Sequence, residues 1–333
     1  MRARALEFTG PGSVRVVEVD IGDRPEPGEM VVRTELSGIS GGTELLAFHG
    51  EVDPNLPLDD TIGSLGGTFR FPFRYGYSCA GIVERSNDDR VAEGSRVFAF
   101  HPHQDVFVAP AEDVVVLTGE APRIAVLLPL VETALQVTLD AGPRFGQVVV
   151  VTGLGTVGVL TGALLARAGA TVIGSDPSAW RRDAAKVFGV DAVAPVELRG
   201  AVAEATSGRG VPLVVEASGR PEALGGALSL LAHEGEALVC SWYGTKPVPL
   251  PLGGAFHRRR LAIRSTQVST IPAAQRTQWD RRSRLERARG LLRELPMETL
   301  ATHEFPFERA ADAFAALDAG EEGLLHAALR YRS

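Results

Sequence analysis

The sequence predicts an α/β protein in which a doubly wound parallel sheet follows a mainly β domain. Three observations point there. Before about residue 120, short β-branched runs are separated by turn residues, the spacing of a β-rich domain. From about residue 123, strand-like runs alternate with amphipathic helical segments, the rhythm of right-handed βαβ units on a parallel sheet. Within that second region a glycine-rich turn, GLGTVG, stands between a run of four valines and a helix-like segment.

Length and composition set the frame. At 333 residues, with 45% hydrophobic and 23% charged residues, the chain can bury an ample core, and two domains of roughly 150 residues are expected. The formal net charge of -7 gives no electrostatic grip on a polyanion, so a small-molecule partner is expected and no nucleic acid. The basic cluster His257-Arg258-Arg259-Arg260 reads as a solvated edge. Cys79 and Cys240 each lie in an apolar run. They read as buried thiols in a reducing cytoplasm. The N-terminal MRARALEFTGPG lacks the apolar centre of a secretion signal. The most apolar stretch, residues 148 to 174, is interrupted by Arg167 and glycines, so no membrane partner is expected.

Taken in order, SVRVVEV, GEMVVRTEL, AGIVER, SRVFAF, DVFVAP and EDVVVL read as the strands of a first domain over residues 1–122. Between the second and third lies an insertion, roughly residues 51–74, rich in Pro, Gly and Asp. Long ordered loops of this kind tend to be functional. QVVVVTG, ATVIGSD, DAVAP, LVVEAS, EALVCSW and LAIRST read as parallel strands of a second domain over 123–266. After residue 267 the chain turns polar and helical, then ends in FERAADAFAALDAG and LLHAALRY. Residues 267–333 are expected to rejoin the first domain.

Gly153-Leu154-Gly155-Thr156-Val157-Gly158 has GxGxxG spacing. The first glycine permits the tight turn, the second lets a pyrophosphate approach the backbone, and the third allows close helix packing. The helix that follows offers unpaired N–H groups and its positive end. A second strand ends on Asp176, 18 residues past Gly158. An acidic residue there accepts from ribose hydroxyls and repels a 2′-phosphate, so the expected cofactor is NAD. Arg181 and Ser175 keep NADP open. Arg181 reads either as a ribose or adenine contact or as a solvent-facing helix residue. Ligands sit at the carboxyl ends of such strands, so Ser218, Trp242 and Tyr243 are expected to border the nicotinamide. Core packing is the alternative for the aromatic pair.

The stretches LSGISGGTE, YGYSCAGIVE, SRVFAF, LVETAL and GLGTVG together resemble the medium-chain dehydrogenase/reductase superfamily, over essentially the whole chain. The resemblance implies a GroES-like catalytic domain, a central Rossmann domain and a C-terminal return. LSGISGGTE is similar to the Ser-x-Gly-Thr-Glu form of the bacteriochlorophyllide dehydrogenase branch. It also places Thr133 beside the nicotinamide, with Glu132 bonding to cofactor or capping its helix, and implies a homodimer paired near LAIRSTQV.

The departures bear on mechanism. Where zinc-dependent members carry ligands, this chain has Ser40, Tyr77-Ser78 and Pro129. Catalytic zinc takes three protein ligands with S, N or carboxylate donors, so no zinc is expected there, and no cysteine-rich lobe follows Phe100 for a structural one. A rearranged site from Glu44, His49, His101 and His103 is the alternative, although His-Pro-His is not a regular ligand spacing. Without metal, something else must polarise the substrate oxygen and move its proton. By the resemblance Thr43 falls at the proton-relay hydroxyl and Tyr77 projects into the cleft. His101 and His103 read as wall residues able to act as acid or base near neutral pH. Glu44 is expected behind them. The plainer readings are a turn hydroxyl, a packed aromatic and two loop histidines.

The leading expectation is zinc-independent hydride transfer between a nicotinamide cofactor and an alcohol/carbonyl pair. Reduction of an activated C=C bond or a quinone is the second reading, and a non-catalytic dinucleotide-binding protein the third.

Overall fold

A computed structural model describes residues 1–22 and 24–332. The chain divides into two compact units, Met1–Pro129 with the residues from Leu300 onward, and Leu130–Thr299.

The first unit opens with β1 (Arg2–Gly10), β2 (Ser13–Asp20) and β3 (Glu29–Ile39), followed by the short helix α1 (Thr43–His49) and by β4 (Phe73–Arg74). It continues with β5 (Cys79–Ser86), β6 (Arg96–Ala99), β7 (Val106–Pro110), β8 (Val114–Val116) and α2 (Pro122–Ala125). β1 pairs antiparallel with β2 on one side and β4 on the other. It was not among the runs read as strands. Arg2, Arg4 and Glu7 break its apolar pattern, yet Ala3, Ala5, Leu6 and Phe8 are buried. β3 is the spine of the larger sheet, pairing with both β5 and β7.

Residues 51–74 are anchored by aromatic packing. Leu58, Leu65, Phe69 and Phe73 join a core with Phe8, Phe48, Tyr75 and Phe314, and Phe8 stacks on Phe73 with ring centroids 5.1 Å apart. Asp59 adds a turn, its carboxylate accepting from the Thr61 and Ile62 amides at 2.6 and 2.8 Å.

The helix α3 (Leu128–Ala141) carries the chain into the second unit, where β9 (Val148–Thr152), α4 (Thr156–Arg167), β10 (Thr171–Ser175), α5 (Ala179–Val187) and β11 (Asp191–Val193) follow. Then come α6 (Pro195–Thr206), β12 (Val211–Glu216), α7 (Pro221–Leu228), β13 (Leu231–Val239), β14 (Ala262–Ser265) and α8 (Arg281–Glu294). The strand order β11-β10-β9-β12-β13-β14 is wholly parallel. It reverses direction between β9 and β12, the point where such sheets open a ligand crevice. Val149, Val150 and Val151 are fully buried. A strand covered on both faces needs that unbroken apolar run.

The chain then returns to the first unit through β15 (His303–Pro306), α9 (Ala310–Asp318) and β16 (Ala327–Arg330), which extend the larger sheet as β15-β16-β3. The return is shorter than 267–333. Residues 267–299 belong to the second unit, because α8 is bolted to α3: the buried Arg284 donates to Glu132 Oε1 at 2.9 and 3.0 Å, and also to Gln136. The first unit runs on to Pro129. The stretch long and apolar enough to cross a bilayer is Pro122–Ala141 rather than 148–174, and 78% of its window is buried inside the protein, as in a core helix.

Candidate functional site

The loop after β3 is held by a carboxylate beneath it. Ser40 N donates to Glu44 Oε1 at 2.8 Å, and Glu44 N donates to Ser40 O at 2.8 Å. Glu44 is fully buried. Its Oε2 lies 2.8 Å from His103 Nε2, and His103 Nδ1 lies 2.7 Å from Ser37 Oγ, itself 2.8 Å from the Tyr331 hydroxyl. With the ring proton on Nε2 the chain closes: Tyr331 donates to Ser37, Ser37 to Nδ1, and Nε2 to the carboxylate. Gly76, at φ 101°, lies against this ring, and a Cβ there would come within 2.6 Å of His103 Cδ2. That explains the glycine in YGYSCAG.

Above this support three hydroxyls meet. The Tyr77 hydroxyl lies close to the side chains of Ser40 and Thr43, and burial pushes its phenol up to about 12. Tyr77 therefore holds its proton at neutral pH and acts as a donor. Its ring packs edge-on to Tyr75, centroids 6.0 Å apart. The sequence-predicted pair Thr43 and Tyr77 is thus brought together, with Ser40 as an unforeseen third member.

The two histidines differ from expectation. His103 is fully buried with both ring nitrogens engaged, so it supports the loop and is not a wall residue. His101 stacks on Phe107 with centroids 4.0 Å apart, and burial, helped by Arg74 and His103, lowers its pKa to about 4. It is neutral near pH 7 and poorly suited to act as an acid there. His326 is likewise held at about 4 by burial, and its Nε2 finds no hydrogen-bond partner among the described residues.

A histidine whose pKa falls on folding binds fewer protons folded than unfolded, so stability is lost as pH drops from the unfolded value, 6.5, toward 4. Each histidine is expected to contribute a slope of up to about 1.4 kcal/mol per pH unit in that window. Urea unfolding of wild type and His326→Gln between pH 7 and pH 4 reads the difference. Identical slopes would remove His326 from the account.

The alternative metal cluster does not form. His49 pairs with Asp318 at 2.8 Å, and His101 is committed to Phe107. No group of three or more His, Cys, Asp or Glu side chains gathers among the described residues. The hydroxyls of Ser40, Thr43 and Tyr77 and the side chain of Pro129 offer none of the thiolate, imidazole or carboxylate donors of a zinc site. The residues present do not fit a catalytic zinc.

The second unit builds a cradle at its crevice. Gly153, φ 85°, follows β9, and a Cβ there would come within 2.4 Å of Ser218 Cα after β12. A Cβ on Gly158 would lie 1.9 Å from Gly153 O, so the third glycine lets α4 start directly against the turn. Gly155, the N-cap of α4, faces open space, with nothing within 4 Å of a Cβ. Thr156 is buried at the first position of α4 and Val157 is half-buried beside it. These residues fit a dinucleotide: a bare backbone, a helix N-terminus and room beside Gly155. Gly155→Ala is expected to fold normally and weaken NADH binding about tenfold, whereas Gly158→Ala should lower the melting temperature and cost over about a hundredfold. Fluorescence titration and thermal melting check the contrast; equal behaviour of the two variants would contradict it.

Asp176 is buried beside this turn, its Oδ2 accepting from Leu154 N and its Oδ1 from Ser178 N, both at 2.9 Å. A carboxylate has about four acceptor positions, so two remain. Arg181 lies 3.9 Å from Asp176, and its guanidinium sits over the Trp180 ring.

Glu216 is the residue the sequence reading passed over. Fully buried at the end of β12, it accepts from Ser218 N at 2.8 Å, from Ser218 Oγ and from the Tyr243 hydroxyl. Ser218 and Tyr243 are therefore tied to a carboxylate at the strand ends, and that bond together with burial raises the Tyr243 phenol. Trp242 beside them is 40% exposed. The only signal was a glutamate inside the apolar LVVEAS. Thr133 is half-buried on α3. Glu132, expected to meet cofactor or cap its helix, instead receives Arg284; an unpaired guanidinium buried there would be costly.

Comparison with known proteins bears on both units. The family model described as "Zinc-binding dehydrogenase" matches residues 156–282. The chain is 27% identical over 339 residues to 2-desacetyl-2-hydroxyethyl bacteriochlorophyllide A dehydrogenase of Cereibacter sphaeroides, covering 95% of this chain and 94% of that one. It is 26% identical over 351 residues to L-threonine 3-dehydrogenase of Pyrococcus horikoshii, covering 96% of each. Its fold is similar, at a TM-score of 0.76 and 19% identity over 99% of both chains, to an alcohol dehydrogenase of E. coli CFT073 solved with the cofactor NADH.

Proposed function

Because this chain belongs to the medium-chain dehydrogenase/reductase superfamily and is an oxidoreductase of that type, we propose that it interconverts an alcohol and a carbonyl with NAD as cofactor and without zinc. The observation that carries the reading is the closeness of Tyr77 to Ser40 and Thr43, with Ser40 and Tyr77 standing, by the resemblance, at ligand positions of the zinc-dependent members and Thr43 at the proton-relay hydroxyl.

NAD is held by the backbone of Gly153, Gly155 and Gly158 with the first turn of α4, and Asp176 uses its remaining acceptor positions on the adenosine ribose. When bound, the nicotinamide supplies or accepts the hydride. The protein's own part is acid–base work. In the reducing direction Tyr77 Oη donates a hydrogen bond to the carbonyl oxygen, and that bond strengthens as negative charge develops. An alkoxide is a stronger base than a phenolate, so the proton on Tyr77 Oη passes downhill to the product oxygen. Thr43 and Ser40, close to the same phenol, steady the charge left on it, and a proton taken up from solvent water restores the phenol. Glu44 takes no part in the transfer. It keeps Ser40 in place through the backbone amide.

The test is direct. Purified protein is titrated with NADH and NADPH, then assayed with aldehydes, ketones, enones and quinones. Tighter NADH binding, by about tenfold or more, and turnover of saturated aldehydes or ketones are expected. Turnover confined to enones or quinones would replace the reading with C=C or quinone reduction, and binding without turnover on any class would leave a dinucleotide-binding protein.

A further inference from the structure

We propose that the first unit carries a separate recess that binds a small organic anion, a carboxylate or a phosphate monoester. The recess, about 660 Å³, lies between the 51–74 segment and the residues after β6, and its lining includes Arg70, Arg74, Ser64, His101, Gln104 and Phe107. Neither Ser40, Thr43 nor Tyr77 lines it.

Its charge is unlike that of the chain. In a protein of formal net charge -7, this recess presents two guanidinium groups and, among the described residues, no carboxylate. Three acids close to it in sequence or across a strand pair are committed elsewhere. Asp105 pairs with Arg4 at 2.9 Å, Glu7 with Arg15 at 2.9 Å, and Asp59 with its own turn amides. Among the described residues Arg70 has only a neutral partner, Asn55 Oδ1 at 2.7 Å, and Arg74 has no ion pair. Arginine forks match planar carboxylates and phosphates with paired hydrogen bonds, and a concave wall focuses their field.

The floor suits an organic body. His101 and Phe107, both in the lining, stack nearly parallel, 12° apart, so the wall there is partly aromatic. His101 already feels Arg74, so a bound anion that screens Arg74 changes its surroundings. The anion is either the acidic group of the substrate itself or a separate effector. Only that distinction rests on the catalytic reading.

Inorganic phosphate and citrate serve as probes, titrated into the full chain at pH 7 with ionic strength held constant by sodium chloride, and followed through the His101 ring resonances and by calorimetry. Saturable binding is expected with a shift at His101, weakened at least about tenfold in Arg74→Gln and lost in Arg70→Gln/Arg74→Gln, with Arg74→Lys in between. Both arginines are exposed, so melting should be unchanged; should Arg74→Gln melt lower, the charge-retaining Arg74→Lys carries the comparison. No saturation by either probe in wild type, or equal affinity in the double variant, overturns the site. Competition between phosphate and a turned-over carbonyl compound assigns the recess to the acidic group of the substrate, and binding without competition assigns it to an effector.

Discussion

Arg284→Ala is expected to cost about 3–5 kcal/mol of stability, the scale of stripping one partner from a buried ion pair. Arg284 is 1% exposed, and it satisfies both Glu132 and Gln136 from across the junction of α8 and α3. Its removal leaves a carboxylate whose pKa burial already pulls upward against the arginine. The contrast that identifies the mechanism is the double variant Arg284→Met/Glu132→Leu. It removes both charges and should recover most of the loss, since apolar replacement of a buried pair is often close to neutral. Urea unfolding followed by tryptophan fluorescence reads all three proteins. A single-variant loss below about 1 kcal/mol would show that water reaches the pair.

Tyr77→Phe is expected to lower turnover by about 10² to 10⁴, the range for losing a positioned proton donor. Thr43→Val should lower it less, because Ser40 still lies beside the phenol. NADH affinity should stay unchanged in both, since the glycine cradle is built in the second unit from β9, β12 and α4. Unaltered turnover in both variants, measured on whichever carbonyl compound the wild type accepts, would remove this mechanism. A fall in NADH affinity alongside turnover would point to a structural effect.

What sequence could and could not tell follows from the range of the interactions. The six parallel strands and the glycine turn were legible because their signals are local: a valine run for a strand buried on both faces, and glycine where a Cβ would strike Ser218 or Gly153 O. Thr43 and Tyr77 came from the resemblance, and they lie close to one another. Of the buried carboxylates, Glu132 was misjudged, Glu216 was passed over, and the partner of Glu44 was not foreseen. Glu132 is claimed by an arginine 152 residues away and Glu44 by a histidine 59 residues away. No spacing rule announces such partners. Glu216 bonds only two residues on and to Tyr243, but a glutamate at a strand end is equally at home in solvent. His101 and His103, two residues apart, were read alike. They separate because one faces Phe107 and the other Glu44.

The chain of hydrogen bonds beneath Ser40 also sets an order of assembly. Tyr331 reaches Ser37 across 294 residues, and all of Leu130–Thr299 lies between them in the second unit. On a ribosome the strands around β3 emerge early and must wait for β16, which pairs with β3 at Leu36 through Ile39. The second unit can close on its own contacts while the first is still missing a sheet neighbour. During that interval β3 has an open edge, where a nascent chain is exposed to mispairing. A chaperone or a fast translation rate through 130–299 would therefore raise the yield of active protein without changing the stability of the finished fold.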